Sequence, residues 1–212
     1  MMKECSKYSE GTILDIGAGD GRSSQHWKEK DLTVIAVEPN KKSFEKLNKK
    51  YHKMTAYNTG GVDLTLIKKI KAKSVDVVYM SYVMTFFNKD TLLALAKIIG
   101  HVLKPGGLFI TMHLDGDRVD EKIPDKNNKF DTNAFTLQRV DSDKILISMK
   151  QHKTLVTEQS EFLAKFEPLK QALKDNNIVI EEDNFVRPHY ALDPSSTGWY
   201  AKSIRYIRAI KK

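Results

Sequence analysis

A glycine-rich turn between a buried strand and a helix constrains the fold of this chain more than any other feature. The apolar run Thr12–Ile16 is followed by Gly17, Gly19 and Gly21, and a polar segment begins at Arg22. Glycines at such a junction let the backbone turn tightly and approach a ligand closely. The pattern predicts a strand, a turn and a helix in that order, with a ligand beside the turn.

Short apolar runs alternate with longer segments of helical character through the first half of the chain. Runs typical of buried strands are Thr12–Ile16, Thr33–Val37, Met54–Tyr57, Val75–Met80 and Leu108–Met112. Helices are predicted over Arg22–Lys30, Lys41–Tyr51, Leu64–Ile70 and Thr91–Leu103. Strands that alternate with helices at this spacing predict an α/β fold with a mixed, mostly parallel sheet and helices on both of its faces.

The pattern changes after residue 114, where a polar stretch over residues 115–133 predicts an inserted loop. The elements predicted beyond it are a hairpin of Phe135–Val140 with Lys144–Met149, a helix over Glu161–Asn176, and strands over Ile178–Ile180 and Ser203–Ile210. A chain of 212 residues suffices for one well-buried α/β domain but hardly for two. We therefore expect a single domain over residues 1–212, with an inserted loop and hairpin at about 115–150.

The use of cysteine and of apolar residues limits the class of protein. The single cysteine, Cys5, excludes an internal disulfide and a multi-cysteine metal site. No apolar run reaches the length of a membrane span, and the N-terminus lacks a signal-peptide pattern. We expect a soluble intracellular protein, in the cytoplasm or the nucleus, with no membrane partner.

The chain is basic, with 35 Lys and Arg against 27 Asp and Glu and a net charge of +8. A positive field attracts anions, of which nucleic acid is the obvious large one. A lysine-rich surface that only faces solvent is the other interpretation, and it applies in particular to Lys41–Lys50.

Acidic side chains accompany the glycine turn. Asp15 precedes Gly17 and Asp20 lies within the turn, so a pyrophosphate would be repelled there, whereas a methionine-type ammonium would be attracted. The spacing G-x-G-x-G also differs from the G-x-G-x-x-G of dinucleotide sites. Glu38, at the end of the second strand, is placed to accept hydrogen bonds from both hydroxyls of a ribose. These residues predict a site for a zwitterionic, phosphate-free cofactor, and the alternative is a glycine cluster without a ligand.

The glycine turn, Glu38 and the sequence Lys104-Pro105-Gly106-Gly107 together resemble class I S-adenosylmethionine-dependent methyltransferases. The resemblance implies a Rossmann-like class I methyltransferase fold and S-adenosyl-L-methionine as the cofactor. The cofactor-binding residues that it implies are Asp15, Gly17, Ala18, Gly19, Glu38, Pro39, Ser81 and Tyr82.

Further segments resemble the mRNA cap (guanine-N7) methyltransferases, in the variant found in large DNA viruses. They are Gly17–Arg22 with His26-Trp27-Lys28, Asp76–Phe87 with Thr85-Phe86 at the family's His-Tyr pair, Glu161-Phe162-Leu163 with Phe166 and Pro168-Leu169, and Ser195–Lys212 with Trp199. The resemblance implies methyl transfer to N7 of the guanine cap of mRNA, with capped RNA as the partner. The resemblance then also implies a viral factory or a virion as a location for the protein.

The same resemblance implies a set of cap-binding residues. They are Thr85, Phe86, Glu161, Tyr206 and Arg22. Glu161 inherits contact with the guanine N1–H and N2 amino group, and its alternative is a helix N-terminal carboxylate. Phe86 would stack on guanine or lie in the core. The family's C-terminal tyrosine aligns with Arg205, so Tyr206 or Tyr200 would replace it.

The chain departs from this family at its N-terminus, where a helical segment that precedes the glycine turn in the family is missing. We expect either a fragment of a larger capping enzyme, with other domains or subunits as partners, or a compact variant.

No catalytic side chain and no metal are expected, because guanine N7 is a nucleophile without a proton to remove. Proximity and in-line orientation then carry the reaction. The six histidines are scattered along the chain, which agrees with this expectation. Two alternatives stay open: a small-molecule methyltransferase, and an inactive cofactor-binding subunit that stimulates a capping complex.

Overall fold

Strands and helices alternate through most of the chain. The computed structural model describes residues 10–28, 32–51, 54–84, 87–114, 129–131, 135–139, 144–151, 154–163, 166–185 and 204–212. Its strands are β1 (Thr12–Ile16), β2 (Thr33–Val37), β3 (Thr55–Tyr57), β4 (Val75–Ser81), β5 (Leu103–Leu114), β6 (Lys129–Asp131), β7 (Phe135–Arg139), β8 (Lys144–Gln151), β9 (Thr154–Leu163), β10 (Ile178–Phe185) and β11 (Ile204–Lys211). The helices in these ranges are α1 (Arg22–Lys28), α2 (Lys41–Lys50), α3 (Leu66–Lys69), α4 (Lys89–Val102) and α5 (Glu167–Asp175). None of these helices has the length and apolar character needed to cross a membrane.

The main sheet has seven strands in the order β10-β11-β5-β4-β1-β2-β3. β1 to β5 run parallel to their neighbours among themselves, whereas β11 is antiparallel to both β5 and β10. The chain places β2 and β3 on one side of β1 and then returns to place β4 and β5 on the other side. The strand order therefore reverses between β1 and β4, and the predicted mixed, mostly parallel sheet is confirmed.

Helices cover both faces of the main sheet, because successive side chains of a strand point to opposite faces. Leu14 of β1 belongs to a buried cluster with side chains of α3, α4 and α5. Its neighbour Ile13 belongs to a second cluster with Trp27 of α1 and Leu47 of α2. The Trp27 side chain is fully buried, and its ring meets that of Tyr79 edge-on with centroids 4.4 Å apart. Two cores thus hold the sheet rigidly between helical layers.

A second, antiparallel sheet lies between β5 and α5 along the chain, in the order β6-β7-β8-β9. Strands β7 and β8 confirm the predicted hairpin at residues 135–149. The sequence did not predict β9, because residues 157–161 form an unbroken polar run and no glycine or proline flanks the strand. The predicted loop falls at residues 115–128, outside the described residues, and at residues 129–133, of which 129–131 form β6.

The helix predicted to begin at Glu161 was wrong at its N-terminal end. Glu161 lies in β9, opposite Leu146 of β8, and α5 begins at Glu167. Pro168 accounts for this start, since proline suits the first turn of a helix, where a backbone N–H has no intrahelical partner. Glu161 is therefore a strand residue and does not begin a helix.

Candidate active site

The strand register brings the ends of four parallel strands to one edge of the main sheet. Ile16, the last residue of β1, lies opposite Val37 of β2 and Met80 of β4, and Val37 lies opposite Tyr57 of β3. The glycine turn, Glu38 and the segments that follow β3 and β4 therefore share this edge. The edge also straddles the reversal of strand order, where open α/β sheets bind their ligands.

Backbone hydrogen bonds hold the glycine turn against the end of β2. The amides of Gly17 and Ala18 both donate to the carbonyl oxygen of Val37, at 2.8 and 3.1 Å. The carboxylate of Glu38 adds two bonds, since its Oε2 accepts from the Gly19 amide and its Oε1 from the Asn40 amide, each at 2.8 Å. The turn is thus built on β2 as much as on β1.

Two glycines of the turn are needed for different reasons. Gly17 has a φ of 73°, and a Cβ on it would lie 2.2 Å from Cγ2 of Val83. Gly19 has a φ of 58°, which also favours glycine, but a Cβ on it would have no atom within 4 Å. One side of the turn is therefore packed against the segment after β4, and the other side is open.

Glu38 retains capacity to bind a ligand in addition to the two amides. Its residue is 7% exposed, and each carboxylate oxygen accepts one amide N–H. An ionised carboxylate has about four acceptor positions, so about two remain. Two acceptors held at fixed positions beside the turn match the two hydroxyls of a ribose.

Asp15 is buried behind the turn on the face that α1 covers. Its residue is 2% exposed, and Oδ2 accepts a hydrogen bond of 2.7 Å from the hydroxyl of Ser24. Burial raises the pKa of the Asp15 carboxyl to about 7, an effect that the hydroxyl of Ser24 opposes and the charge of Glu38 reinforces. A cation near the turn would favour the ionised form, which agrees with the predicted attraction for an ammonium group.

The end of β4 carries the other predicted cofactor residues, Ser81 and Tyr82. Ser81 is the last residue of β4, opposite Met112 of β5. Tyr82 adopts a φ of 59°, unusual for a residue with a large side chain, and its amide donates to the Met112 carbonyl at 2.7 Å. Backbone strain of this kind is often found at functional sites. Pro39 is exposed directly after Glu38, and its carbonyl accepts from the side-chain amide of Asn58 at 3.1 Å.

The predicted cap-binding residues are spread more widely. Thr85 and Phe86 lie outside the described residues. Arg22 opens α1, and its side chain is 92% exposed, 3.6 Å from Asp20. Tyr206 lies in the buried cluster on the face of α1 and α2, which is the position of a core residue. With Glu161 in β9, the cap contacts stay predictions.

Arg205, which aligns with the family's C-terminal tyrosine, is part of a buried ion pair. The residue is 9% exposed, and its guanidinium donates to both carboxylate oxygens of Asp183 at 2.5 and 2.6 Å. It also lies over the ring of Phe166, 4.8 Å from the centroid. The hydrogen bond from Arg205 holds the pKa of Asp183 below its usual range. Arg205 therefore joins β11 to β10 and α5.

Several residues of the site were not predicted from the sequence. The sequence does not indicate a role for the backbone carbonyl of Val37, because every residue has a backbone carbonyl. Ser24 and Asn58 are polar residues of common types, and only the tertiary structure shows that they bind Asp15 and the backbone of Glu38. Val83 comes close to Gly17 through the loop after β4. The sequence offered one signal for these contacts, which is that Asn58, a residue with a side-chain amide, directly follows the third strand.

The residues at this edge fit a phosphate-free, cationic cofactor such as S-adenosylmethionine. The open side of Gly19 leaves room for a ligand, and Glu38 offers ribose acceptors. Asp15 and Asp20 place acidic groups at the turn, and the guanidinium of Arg22 lies 3.6 Å from Asp20. These carboxylates disfavour a pyrophosphate there.

Comparison with known proteins agrees with this geometry. Residues 14–109, from β1 into β5, match a family model described as a methyltransferase domain. The chain has the fold of class I S-adenosylmethionine-dependent methyltransferases, and the family match covers the part of it that holds the glycine turn and Glu38. No curated protein matches the sequence.

Solved structures share this fold at low sequence identity. A S-adenosylmethionine-dependent methyltransferase from Clostridium acetobutylicum matches with a TM-score of 0.69 and 15% identity, over 100% of this chain and 89% of that chain. One from Methanosarcina mazei matches with a TM-score of 0.69 and 16% identity, over 99% and 96%. A glycopeptide N-methyltransferase complexed with S-adenosylmethionine matches with a TM-score of 0.60 and 13% identity, over 95% and 87%. These likenesses support the class I fold.

Asp15→Asn should remove a pH-dependent loss of stability. Between about pH 4 and 7 the folded protein keeps the Asp15 proton while the unfolded chain has lost it, so the free energy of unfolding falls as the pH rises. A difference of about three pKa units corresponds to about 4 kcal/mol. Asparagine does not titrate and keeps an acceptor for Ser24. We expect the variant to match the wild type near pH 4 and to exceed it by up to that amount at pH 8, in urea denaturation. A stability difference that is constant with pH would contradict the titration of Asp15.

Glu38→Gln should weaken S-adenosylmethionine binding by about 1.5–3 kcal/mol, the range for hydrogen bonds to a charged group. The amide nitrogen that replaces one oxygen can no longer accept hydrogen bonds. Isothermal titration measures the effect, with Glu45→Gln as the control because Glu45 is an exposed glutamate on α2. A folded Glu38→Gln protein with the affinity of the control would exclude Glu38 from the cofactor site.

Proposed function

We propose that this chain transfers the methyl group of S-adenosylmethionine to N7 of the guanine cap of RNA. Methyl transfer rests on one observation, the glycine turn fastened to the end of β2 by Val37 and Glu38 at the reversal of strand order. The cap as acceptor is supported by the resemblance of the segments Gly17–Lys28 and Ser195–Lys212 to cap methyltransferases, and by the net charge of +8. Phosphates of the acceptor would meet a positive surface.

The reaction needs orientation more than proton transfer. S-adenosylmethionine supplies a methyl group already activated by its positive sulfur. Guanine N7 has a lone pair in the ring plane and no proton, so no side chain has to act as a base. Asp15, the carboxylate with a pKa of about 7, is buried and accepts a hydrogen bond from the hydroxyl of Ser24 in α1. The turn and Glu38 then contribute by fixing the position of the cofactor.

Turnover on capped RNA tests the acceptor. We expect labelled methyl to pass from S-adenosylmethionine to GpppA-capped RNA, and not to the same RNA with an m7GpppA cap, whose N7 is already methylated. Labelling of both RNAs alike would exclude N7. Labelling of small molecules but of neither RNA would indicate a small-molecule methyltransferase. Cofactor binding without any turnover would indicate the inactive stimulatory subunit.

The rate of the chemical step should change little with pH. With saturating cofactor, single-turnover rates on GpppA-capped RNA should stay within about twofold between pH 6.5 and 9, because N7 needs no deprotonation. Asp15 titrates within this range, so the wild type and Asp15→Asn are measured together. A sloping limb in the pH–rate profile of the wild type that is absent from the profile of the variant would report the ionisation of Asp15. A single-proton limb that persists in the variant would reveal a general base and contradict this mechanism.

A further inference from the structure

The net positive charge of the chain is confined to one segment. Residues 41–73 contain ten lysines and two acidic residues, whereas the rest of the chain contains 25 basic and 25 acidic residues. The segment runs from the start of α2 through β3 to just beyond α3. About a sixth of the sequence thus carries the whole net charge of +8.

The fold places the part of this segment from α2 to α3 along one edge of the main sheet. β3 is the last strand in the sheet order, and its described neighbour is β2. α2 packs on one face through Leu47, and α3 packs on the opposite face through Leu66. Seven lysines of these two helices are described and exposed: Lys41, Lys42, Lys46, Lys49, Lys50, Lys68 and Lys69. We call these seven residues the lysine edge.

Carboxylates do not neutralise the lysine edge. Among the described residues, none of its lysines has a carboxylate oxygen within 4.0 Å, although the structure contains such ion pairs elsewhere. Of the two acids of the segment, Asp63 is held by the hydroxyl of Thr59 at 2.5 Å and the amide of Thr65 at 2.8 Å. Its carboxylate therefore serves the turn before α3.

This arrangement costs the fold stability when nothing is bound. Lys42, Lys46 and Lys50 follow one another at intervals of four residues on α2, where like charges repel. Some contacts offset part of the repulsion. Lys50 donates to the side chain of Gln25 at 3.1 Å and lies 5.0 Å from the centroid of the Tyr51 ring. Glu45 lies four residues from both Lys41 and Lys49 on α2, and Asp63 interacts with the charge of Lys69. An anionic partner would relieve the repulsion.

The chemistry of the lysine edge favours nucleic acid over a membrane. A helix that lies on a membrane inserts an apolar face between the lipid headgroups. The apolar face of α2 is already used in the core, where Leu47 is fully buried. Leu64 is the one large apolar side chain exposed near the edge among the described residues. A ridge of lysines without an apolar face matches a chain of phosphates.

We propose that the lysine edge binds the phosphate backbone of the RNA acceptor and leads its 5′ end to the cofactor site. Lys41 and Lys42 lie three and four residues after Glu38, in the first turn of α2. The ten residues of α2 extend about 15 Å from there. The inference rests on the proposed function for the identity of the acceptor, and the charge distribution carries it.

A charge-matched pair of variants tests the surface. One replaces Lys42, Lys46, Lys49 and Lys68 by Gln, and the control replaces by Gln the residues Lys89, Lys97, Lys174 and Lys212, which are exposed and lie outside the segment. Both lose four charges. Binding of a labelled, uncapped 20-nucleotide RNA is measured by fluorescence anisotropy at several salt concentrations, without cofactor. Unchanged S-adenosylmethionine affinity and melting temperature show that both variants fold.

The lysine-edge variant should bind this RNA on the order of 100-fold more weakly at 0.15 M salt, with the slope of log K against log salt reduced by about three. The control should stay within about threefold of the wild type. Equal losses in both variants, or no loss in either, would overturn the inference. Binding to phosphatidylserine vesicles, with no binding to the RNA, would overturn it in favour of a membrane.

The outcome is separable from that of the proposed function. RNA binding that depends on the lysine edge, without methylation of GpppA-capped RNA, supports the surface and refutes the cap as acceptor. Methylation of the cap by a lysine-edge variant that binds RNA like the wild type supports the cap and refutes the surface.

Discussion

The hydrogen bonds between the glycine turn and the end of β2 are the interaction on which the site depends. Four amides converge on the carbonyl of Val37, the last residue of β2, and on the carboxylate of Glu38, which follows it. A change in the register of β2 by one residue would point Glu38 to the other face and leave the turn unsupported. The rigidity of the two buried clusters is therefore transmitted to the cofactor site through backbone atoms.

Asp15 shows a conflict between stability and function at the same turn. A buried carboxylate that ionises near pH 7 lowers the stability of the fold above that pH, and asparagine in its place would relieve the cost. A charged residue at such a position is understandable if the ionised form has a cationic partner. Groups with perturbed pKa values in a ligand-binding cleft are typical of functional sites.

The parts of the fold that could be predicted depend on local patterns. The central sheet could be predicted from the apolar runs of β1, β2 and β4 and from the turn after β1. Glu38 was predicted from its place at the end of a strand. The bonds from Ser24 to Asp15 and the approach of Val83 to Gly17 come from tertiary packing, which no local pattern encodes. The helix at Glu161 failed because a mixed-polarity run suits a strand as well, and Pro168 was the clearer start signal.

Neighbouring parts of the fold carry opposite charges, so the acidic turn and the lysine edge would attract different ligands, the cofactor and the acceptor. The acidic turn, with Asp15 and Asp20, disfavours phosphates where the cofactor binds, whereas the lysine edge attracts them a few residues beyond Glu38. A polyanionic acceptor would then bind along the edge without its phosphates entering the cofactor site. Because salt screens charges over about 8 Å, each field acts mainly on the groups that bind directly beside it. The distribution of charge, and not its total, thus distinguishes a phosphate-binding surface from a merely soluble one.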